Sequence, residues 1–320
     1  MRAARTIKPS RRWLRRTGAV FVAAIMAVLS LGAAWISGWN VPGATGATWV
    51  KVSKLHANYS GPSTGPMFIM LIGSDLRAGV GGARGDALHI LGINPTLHSA
   101  TIIDIPRDTC ASVGGRRRKI NEANSRGGAA AQAQAVTELT GIPLQYAVEV
   151  DFAGFKNLVN GVGGLDIDIP ARMHDKYSGA VFDKGPQHIT ADQALAFARN
   201  RHSFPRSDLQ RTWNQGYLLI AAVKQLQQQY GTISGRFKIA SLLMQHAQLS
   251  GLGITDLVRL GQYANDIPAA GIKNVGLPVT SGGCLGVDPR AAQRLYDDFK
   301  DNARLDSYPA GTFDLPDPRP

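Results

Sequence analysis

Cysteine is scarce in this chain: 320 residues contain two, Cys110 and Cys284. That excludes four-cysteine zinc sites and disulfide-dense miniature scaffolds. The seven histidines show no metal-ligand spacing such as HExxH, so imidazole-held metal has no frame either. No glycine-rich loop closes on Gly-Lys-Ser/Thr, which argues against a Walker-type nucleotide site, and there is no internal repeat. Gly61-Pro62-Ser63-Thr64-Gly65 matches the letters of a serine-hydrolase elbow but precedes a strand and contains proline, so that chemistry is dismissed. Acidic residues number 23 against 35 Lys and Arg, giving +12. Seven of those cations lie within the first sixteen residues with no acid among them, so the body is only mildly basic.

Charge is absent altogether from Thr17 to Val50. Residues 17–39 are long and apolar enough to cross a bilayer of about 30 Å as one helix. The basic residues 1–16 orient it with the N-terminus in the cytoplasm and the rest outside. A cleaved signal peptide is the rival, but its apolar region runs only about 7 to 15 residues and Trp35, Ile36 and Trp39 extend this one past the small residues. Residues 40–66, rich in Gly, Ser, Thr and Pro, read as a linker, 67–302 as one domain, and 303–320 as a Pro/Asp-rich tail. With both cysteines outside, an oxidising compartment favours a Cys110–Cys284 disulfide; two separate buried thiols are the alternative.

Within the domain, Met67 to Ile72, Ala87 to Ile93 and Ala100 to Ile105 have the length and composition of buried strands. Charge collects at their ends in Asp75, Arg77, Arg84, Asp86, Arg107 and Asp108, with Asp104 the exception inside a run. Strand ends are where open α/β sheets bind ligands. The loop from Ala78 to Gly85 holds four glycines, able to approach a phosphate closely. The run Arg116 to Lys119 reads as solvated loop charge in its three arginines.

A helix is expected from Gly128 to Leu139, a strand from Tyr146 to Val150, and a helix from Phe152 capped by Asp151. An alternating strand Leu165 to Ile169 follows, then a capping box Thr190/Gln193 opening a helix to Arg199. A longer helix runs from Ser207 to Tyr230. On it Asp208, Arg211 and Gln215 share one face, continued by Leu218, Leu219, Ala222 and Leu226. Polar groups opening an otherwise apolar stripe require a polar pocket at the helix N-terminus. Two more helical segments are expected after Ile239, then a strand Lys273 to Leu277 and a helix Pro289 to Phe299 capped by Asp288. Alternating strands and helices predict an α/β fold.

Two strand-end acids, Asp75 and Asp86, with Arg84, Arg107, Arg199, Arg201 and Arg211, suit a hard cation and a phosphate anion. Mg²⁺ is the first choice and Mn²⁺ the alternative. A domain facing outward from a membrane, where nucleotides are scarce, meets a diphosphate on a polyprenyl-linked saccharide.

The motifs LIGSDLR, ARGDALHILGINP, IDIPRDT, KIN, LTGI, VDFAGFKNLVNGVGGLDIDI, ITADQALAFARNR and SDLQRTWNQ follow in order from Phe68 to about Leu226. In these the chain resembles the LytR-CpsA-Psr family, whose members attach glycopolymers to bacterial cell walls. The resemblance implies a three-layer α-β-α sandwich around a central mixed sheet, with an apolar tunnel for a lipid tail. It implies that Asp75 and Asp86 hold Mg²⁺, that Arg84, Arg107, Lys119, Arg199 and Arg201 bind the polyprenyl phosphate or diphosphate, and that Asp208, Arg211 and Gln215 complete the pocket. Asp75, Arg84, Asp86, Arg107 and Asp108 are then the catalytic set, with Asp75 or Asp108 as the proton acceptor. Gly85 stands where the family often has Ser, and Asn214 where it often has Arg. The implied reaction moves a glycopolymer from a polyprenyl diphosphate donor to a peptidoglycan hydroxyl at the membrane, with pyrophosphatase side activity. A diphosphatase or lipid-carrier binding protein is the alternative. Nucleic acid is not an expected partner, since sixteen residues before the span are too few for a DNA reader.

Overall fold

The computed structural model describes residues 50–56, 65–75, 83–230, 246–267 and 272–306. The expected span at 17–39, most of the glycine loop and the tail beyond 306 lie outside them. Among the described residues no helix is long and apolar enough to cross a membrane.

Fifteen strands and six helices are described. The strands are β1 (Val50–Lys54), β2 (Met67–Ser74), β3 (Gly85–Asn94), β4 (Ser99–Ile105), β5 (Cys110–Val113), β6 (Arg116–Lys119), β7 (Tyr146–Asp151), β8 (Leu165–Ile169), β9 (Met173–Asp175), β10 (Ala180–Phe182), β11 (Gly185–Ile189), β12 (Ala247–Ser250), β13 (Lys273–Gly276), β14 (Val279–Thr280) and β15 (Gly286–Val287). The helices are α1 (Glu122–Thr140), α2 (Phe152–Gly161), α3 (Ala191–Arg199), α4 (Ser207–Tyr230), α5 (Ile254–Asp266) and α6 (Pro289–Asn302). The central sheet runs β12-β1-β7-β2-β3-β4-β13 and is mixed: β2 pairs antiparallel with β3 but parallel with β7.

The two-residue period of the strands divides the core. Met70, Ile72, Leu88, Ile90, Ile103 and Ile105 point to one face, where α1 and α6 cover them with Val136, Leu295 and Phe299. Ile69, Leu71 and Ile93 point to the other, where α5 contributes Leu260 and Tyr263. On that same side α2, α3 and α4 pack with β8 around Val159, Leu165, Phe197 and Leu218.

Several elements differ from expectation. β1 lies in the stretch expected as linker; VKVSK is short, and its partners β7 and β12 are remote in sequence, so nothing local marks it. The run Arg116 to Lys119, expected as loop, is β6, hairpinned to β5 through Gly114-Gly115 with φ of 60° and 73°. Positive φ at both turn residues is what a two-residue hairpin loop requires, and glycine supplies it freely. Arg116 and Arg117 remain solvated. Helix α1 begins at Glu122 rather than Gly128, continuing across a kink at Gly127 and Gly128. Strand β8 is outside the central sheet, paired with β11. Of the two helices expected after Ile239, α5 is described and residues 231–245 lie outside; β12 was not expected.

A disulfide joins Cys110 to Cys284 across 174 residues, with Cα atoms 5.3 Å apart. Beside it the Cys110 amide donates to the Leu285 carbonyl at 2.8 Å, which ties the end of the sheet to the segment before α6.

Candidate active site

At the C-terminal end of β2 the strand register shifts between Gly73 and Ser74, so that Gly73 pairs with Ala87 but Ser74 with Gly85. Asp86 is the extra residue of this bulge, and a bulge re-aims side chains. Consequently Asp86 and Ala87, consecutive in sequence, both line one cavity. Asp75 follows just beyond β2 and is not among the lining residues; its amide donates to the Arg84 carbonyl at 3.1 Å. Asn124 pins the loop exit, donating to the carbonyl of Ala83 at 3.0 Å.

Arg107, just beyond β4, donates to Asp86 at 2.7 Å and lies 3.7 Å from Asp208 and 3.9 Å from Asp108. Asp208, in the first turn of α4, also faces Arg211 at 3.1 Å and Arg201 at 3.3 Å. One carboxylate thus gathers three guanidinium groups from three parts of the chain. Burial pulls the Arg211 guanidinium down to about 10; Asp208 opposes the fall and Arg107 adds to it. Burial acts on Arg107 in the same sense, but Asp86, Asp208 and Asp108 outweigh it and its pKa rises. Gln215 donates to the Ala198 carbonyl at 3.1 Å, one turn along from Arg211. Buried polar atoms are nearly always paired. Here the Nε donors of Arg107, Arg201 and Arg211 are buried without a hydrogen-bond partner, a concentration that suits an anionic ligand.

The cavity behind these groups measures about 560 Å³. Its deeper walls are apolar: Leu71, Val148 and Val150 from the sheet, Phe155 and Leu158 from α2, and Leu218, Leu219, Ala222 and Leu226 from α4. The stripe on α4 therefore lines the cavity, with Leu218 also packed in the core around β8.

The remaining expected residues fall around this mouth. Arg199 lines the cavity with its guanidinium 5.4 Å from the ring centre of Phe152. Lys119 pairs with Asp108 at 3.0 Å, beside Arg107 and outside the cavity. Arg84 is exposed at the loop exit and is not among the lining residues. No group of three or more His, Cys, Asp or Glu able to hold a metal occurs among the described residues. Carboxylates such as Asp75 and Asp86 are the donors a hard cation takes, and Oδ1 of Asp86 is held by Arg107 at 2.7 Å.

Sequence reasoning passed over Asp175. It is buried and accepts from the amides of Arg201 at 2.9 Å, His202 at 3.2 Å and Tyr177 at 2.9 Å. Burial pushes its carboxyl up, but these donors outweigh that and hold it well below the ordinary range. It fixes the backbone carrying Arg201, and no local pattern marks it.

The model of the LytR_cpsA_psr family matches residues 44–302. A polyisoprenyl-teichoic acid–peptidoglycan teichoic acid transferase, TagU of Bacillus mycoides (strain KBAB4), is 37% identical over 161 residues, 50% of this chain and 52% of the relative. TagV of Bacillus subtilis (strain 168) is 34% identical over 152 residues, 45% of this chain and 39% of the relative. The chain spans about half the length of the relatives it matches, or less. Among solved structures, B. subtilis TagV superposes with a TM-score of 0.61 at 25% identity, covering 75% of this chain and 99% of that one. The LytR-Csp2A-Psr enzyme from Actinomyces oris gives 0.62 at 21% identity, covering 80% and 95%. TagT bound to LIIa-WTA gives 0.60 at 20% identity, covering 83% and all of that chain. A family match running from before β1 to the end of α6, over a fold shared with these structures, settles the membership: the chain belongs to the LytR_cpsA_psr family.

Proposed function

We propose that this protein is a membrane-anchored, outward-facing phosphotransferase that moves a glycopolymer from a polyprenyl diphosphate carrier to a peptidoglycan sugar hydroxyl. The observation that carries the reading is a single cavity that joins an arginine-rich mouth to an apolar tunnel, since a prenyl diphosphate has the same two halves. The names of TagU and TagV agree with that donor and acceptor. Residues 17–39 serve as the anchor, and residues 1–16 stay inside.

In this mechanism Arg107, Arg199, Arg201 and Arg211 bind the diphosphate oxygens, and Asp208 keeps three of those guanidinium groups oriented before the ligand arrives. Lys119 and Arg84 add positive charge at the rim. The acceptor oxygen attacks the saccharide-linked phosphorus. The bond from that phosphorus to the bridging oxygen breaks, and polyprenyl phosphate leaves with the electron pair. The acceptor proton passes to a mouth carboxylate, Asp75 or Asp108. A divalent cation, Mg²⁺ before Mn²⁺, held by Asp75 and Asp86 would neutralise developing charge on the phosphate oxygens. Water in place of the sugar gives the hydrolytic side reaction.

The test uses the full-length protein in detergent with a synthetic polyprenyl-diphosphate saccharide, with or without peptidoglycan oligomers, in Mg²⁺ or EDTA. The expected result is metal-dependent release of polyprenyl phosphate with the saccharide joined to the oligomer. Tight carrier binding with no transfer under any condition would overturn it.

A further inference from the structure

One buried polar pair in the cavity wall has no part in the mechanism above. His89 on β3 and Asp104 on β4 face each other across the sheet, 2% and 1% exposed, with Nδ1 of His89 2.7 Å from Oδ1 of Asp104. The other carboxylate oxygen accepts from Asn274 on β13 at 2.9 Å. Helix α4 presses onto this pair at Gly216, where a Cβ would run into the Asp104 carboxylate. Nε2 of His89 is buried, has no hydrogen-bond partner, and belongs to a side chain that lines the cavity.

The pair's position says what Nε2 can meet. One cross-strand row runs Val148, Leu71, His89, Asp104, and the next row toward the mouth runs Val150, Gly73, Ala87. His89 therefore lies about 7 Å further in than Ala87, two strand residues along, where the wall turns aliphatic. It is the polar group at the boundary between mouth and tunnel. Burial disfavours a net negative charge on the pair and pushes the Asp104 carboxyl up, with His89 and Asn274 opposing. A pair holding one proton between Asp104 and Nδ1 is neutral overall only when Nε2 also carries hydrogen. The cavity is then offered an N–H donor.

We infer that His89, held by Asp104, is a hydrogen-bond anchor for the lipid-linked phosphate of the carrier, fixing how deep the head group enters the tunnel. This rests on the carrier-diphosphate reading. A prenyl chain is hydrocarbon, so the phosphate at its end is the carrier's nearest acceptor at this depth. His89 acts through binding and depth.

The test compares farnesyl phosphate with farnesol, two probes of one chain length, binding to the full-length protein in detergent micelles. The variants are His89→Gln, which keeps a donor, Asp104→Asn, and the double variant His89→Leu/Asp104→Asn, which leaves no unpaired buried charge. The double variant should lose about tenfold or more in affinity for farnesyl phosphate, as expected for a hydrogen bond to a charged group, with farnesol unchanged. His89→Gln should recover most of the loss, and the ¹⁵N resonance of Nε2 in the wild type should move with farnesyl phosphate and not with farnesol. Equal loss for both probes, or no loss for either, overturns the inference while leaving the transferase reading intact. Failure of the wild type to bind farnesyl phosphate at all overturns both.

Discussion

Replacing Arg211 by methionine should make the protein more stable and much less active. Arg211 is 5% exposed, pairs with Asp208 at 3.1 Å, and leaves its Nε unpartnered. Its pKa falls to about 10, chiefly through burial. For a base, a lowered folded value means that folding disfavours the charged form. The penalty is fully present at every pH below about 10, hence at neutrality. At about 1.4 kcal/mol for each unit, the upper bound is roughly 3 kcal/mol. Methionine matches the stem in length and needs no solvation, and apolar replacements of buried charges are often neutral or stabilising. Because the change also forfeits the pair with Asp208, a gain of about 1 to 2 kcal/mol is expected, or roughly 2 to 8 °C in Tm for a domain of this size. Transfer from the diphosphate carrier should fall by about a hundredfold or more, as for loss of one preorganised charge-stabilising donor. The assay pairs thermal unfolding without carrier lipid with single-turnover transfer. A variant that melts several degrees lower, or transfers at the wild-type rate, refutes the reasoning.

Reducing the Cys110–Cys284 bond, or changing both cysteines to serine, should cost about 2 to 5 kcal/mol because it closes a 174-residue loop; calorimetry with and without reductant measures it. Asp175→Asn should flatten the acid side of the stability profile. The native carboxylate, held below its ordinary 3.8, adds stability that is complete above that value and lost as pH falls through the folded one, so wild type and variant should converge in strong acid in pH-dependent melts. Gly216→Ala should destabilise by about 1 to 3 kcal/mol, since the new methyl meets the Asp104 carboxylate under α4; chemical denaturation reads it, and Ala at Gly283, where nothing lies within 4 Å of the added Cβ and φ is not positive, controls for composition alone.

What could be read before the fold was known follows from how far each signal reaches along the chain. The buried runs of β2, β3 and β4, the capping box of α3 and the polar-then-apolar face of α4 are local patterns, and each lies where its pattern put it. The gathering of Asp86, Arg107, Arg201 and Arg211 around Asp208 was legible only as charge at strand and helix ends; which carboxylate holds which arginine depends on the bulge at Asp86 and on the docking of α4. Strands β1 and β12 were illegible because each takes its reason to exist from the other and from β7. Asp175 and the His89–Asp104 pair were missed for the same cause. A carboxylate that serves the backbone of residues 26 and 27 positions away, or a histidine whose partner is 15 away on the next strand, leaves no period in the sequence.

The charges of the mouth give a reason for its design that no single residue does. Four positive charges line the cavity, on Arg107, Arg199, Arg201 and Arg211, and Asp86 and Asp208 pair with three of them. A diester of diphosphoric acid brings two negative ones. Asp208 therefore offsets enough repulsion for the arginines to converge, yet not so much that the ligand becomes unnecessary. A further acid beside these arginines should weaken diphosphate binding. Asn214 on α4 allows the trial, since it is wholly buried and its amide nitrogen has no partner. Asn214→Asp places a carboxylate one turn from Arg211 with almost no change in volume. Binding of inorganic pyrophosphate should weaken by about tenfold at low salt, and the gap should narrow little as salt rises, because buried charges are poorly screened. Unchanged binding would mean that the arginines act as separate contacts and that the balance of charge in the mouth is incidental.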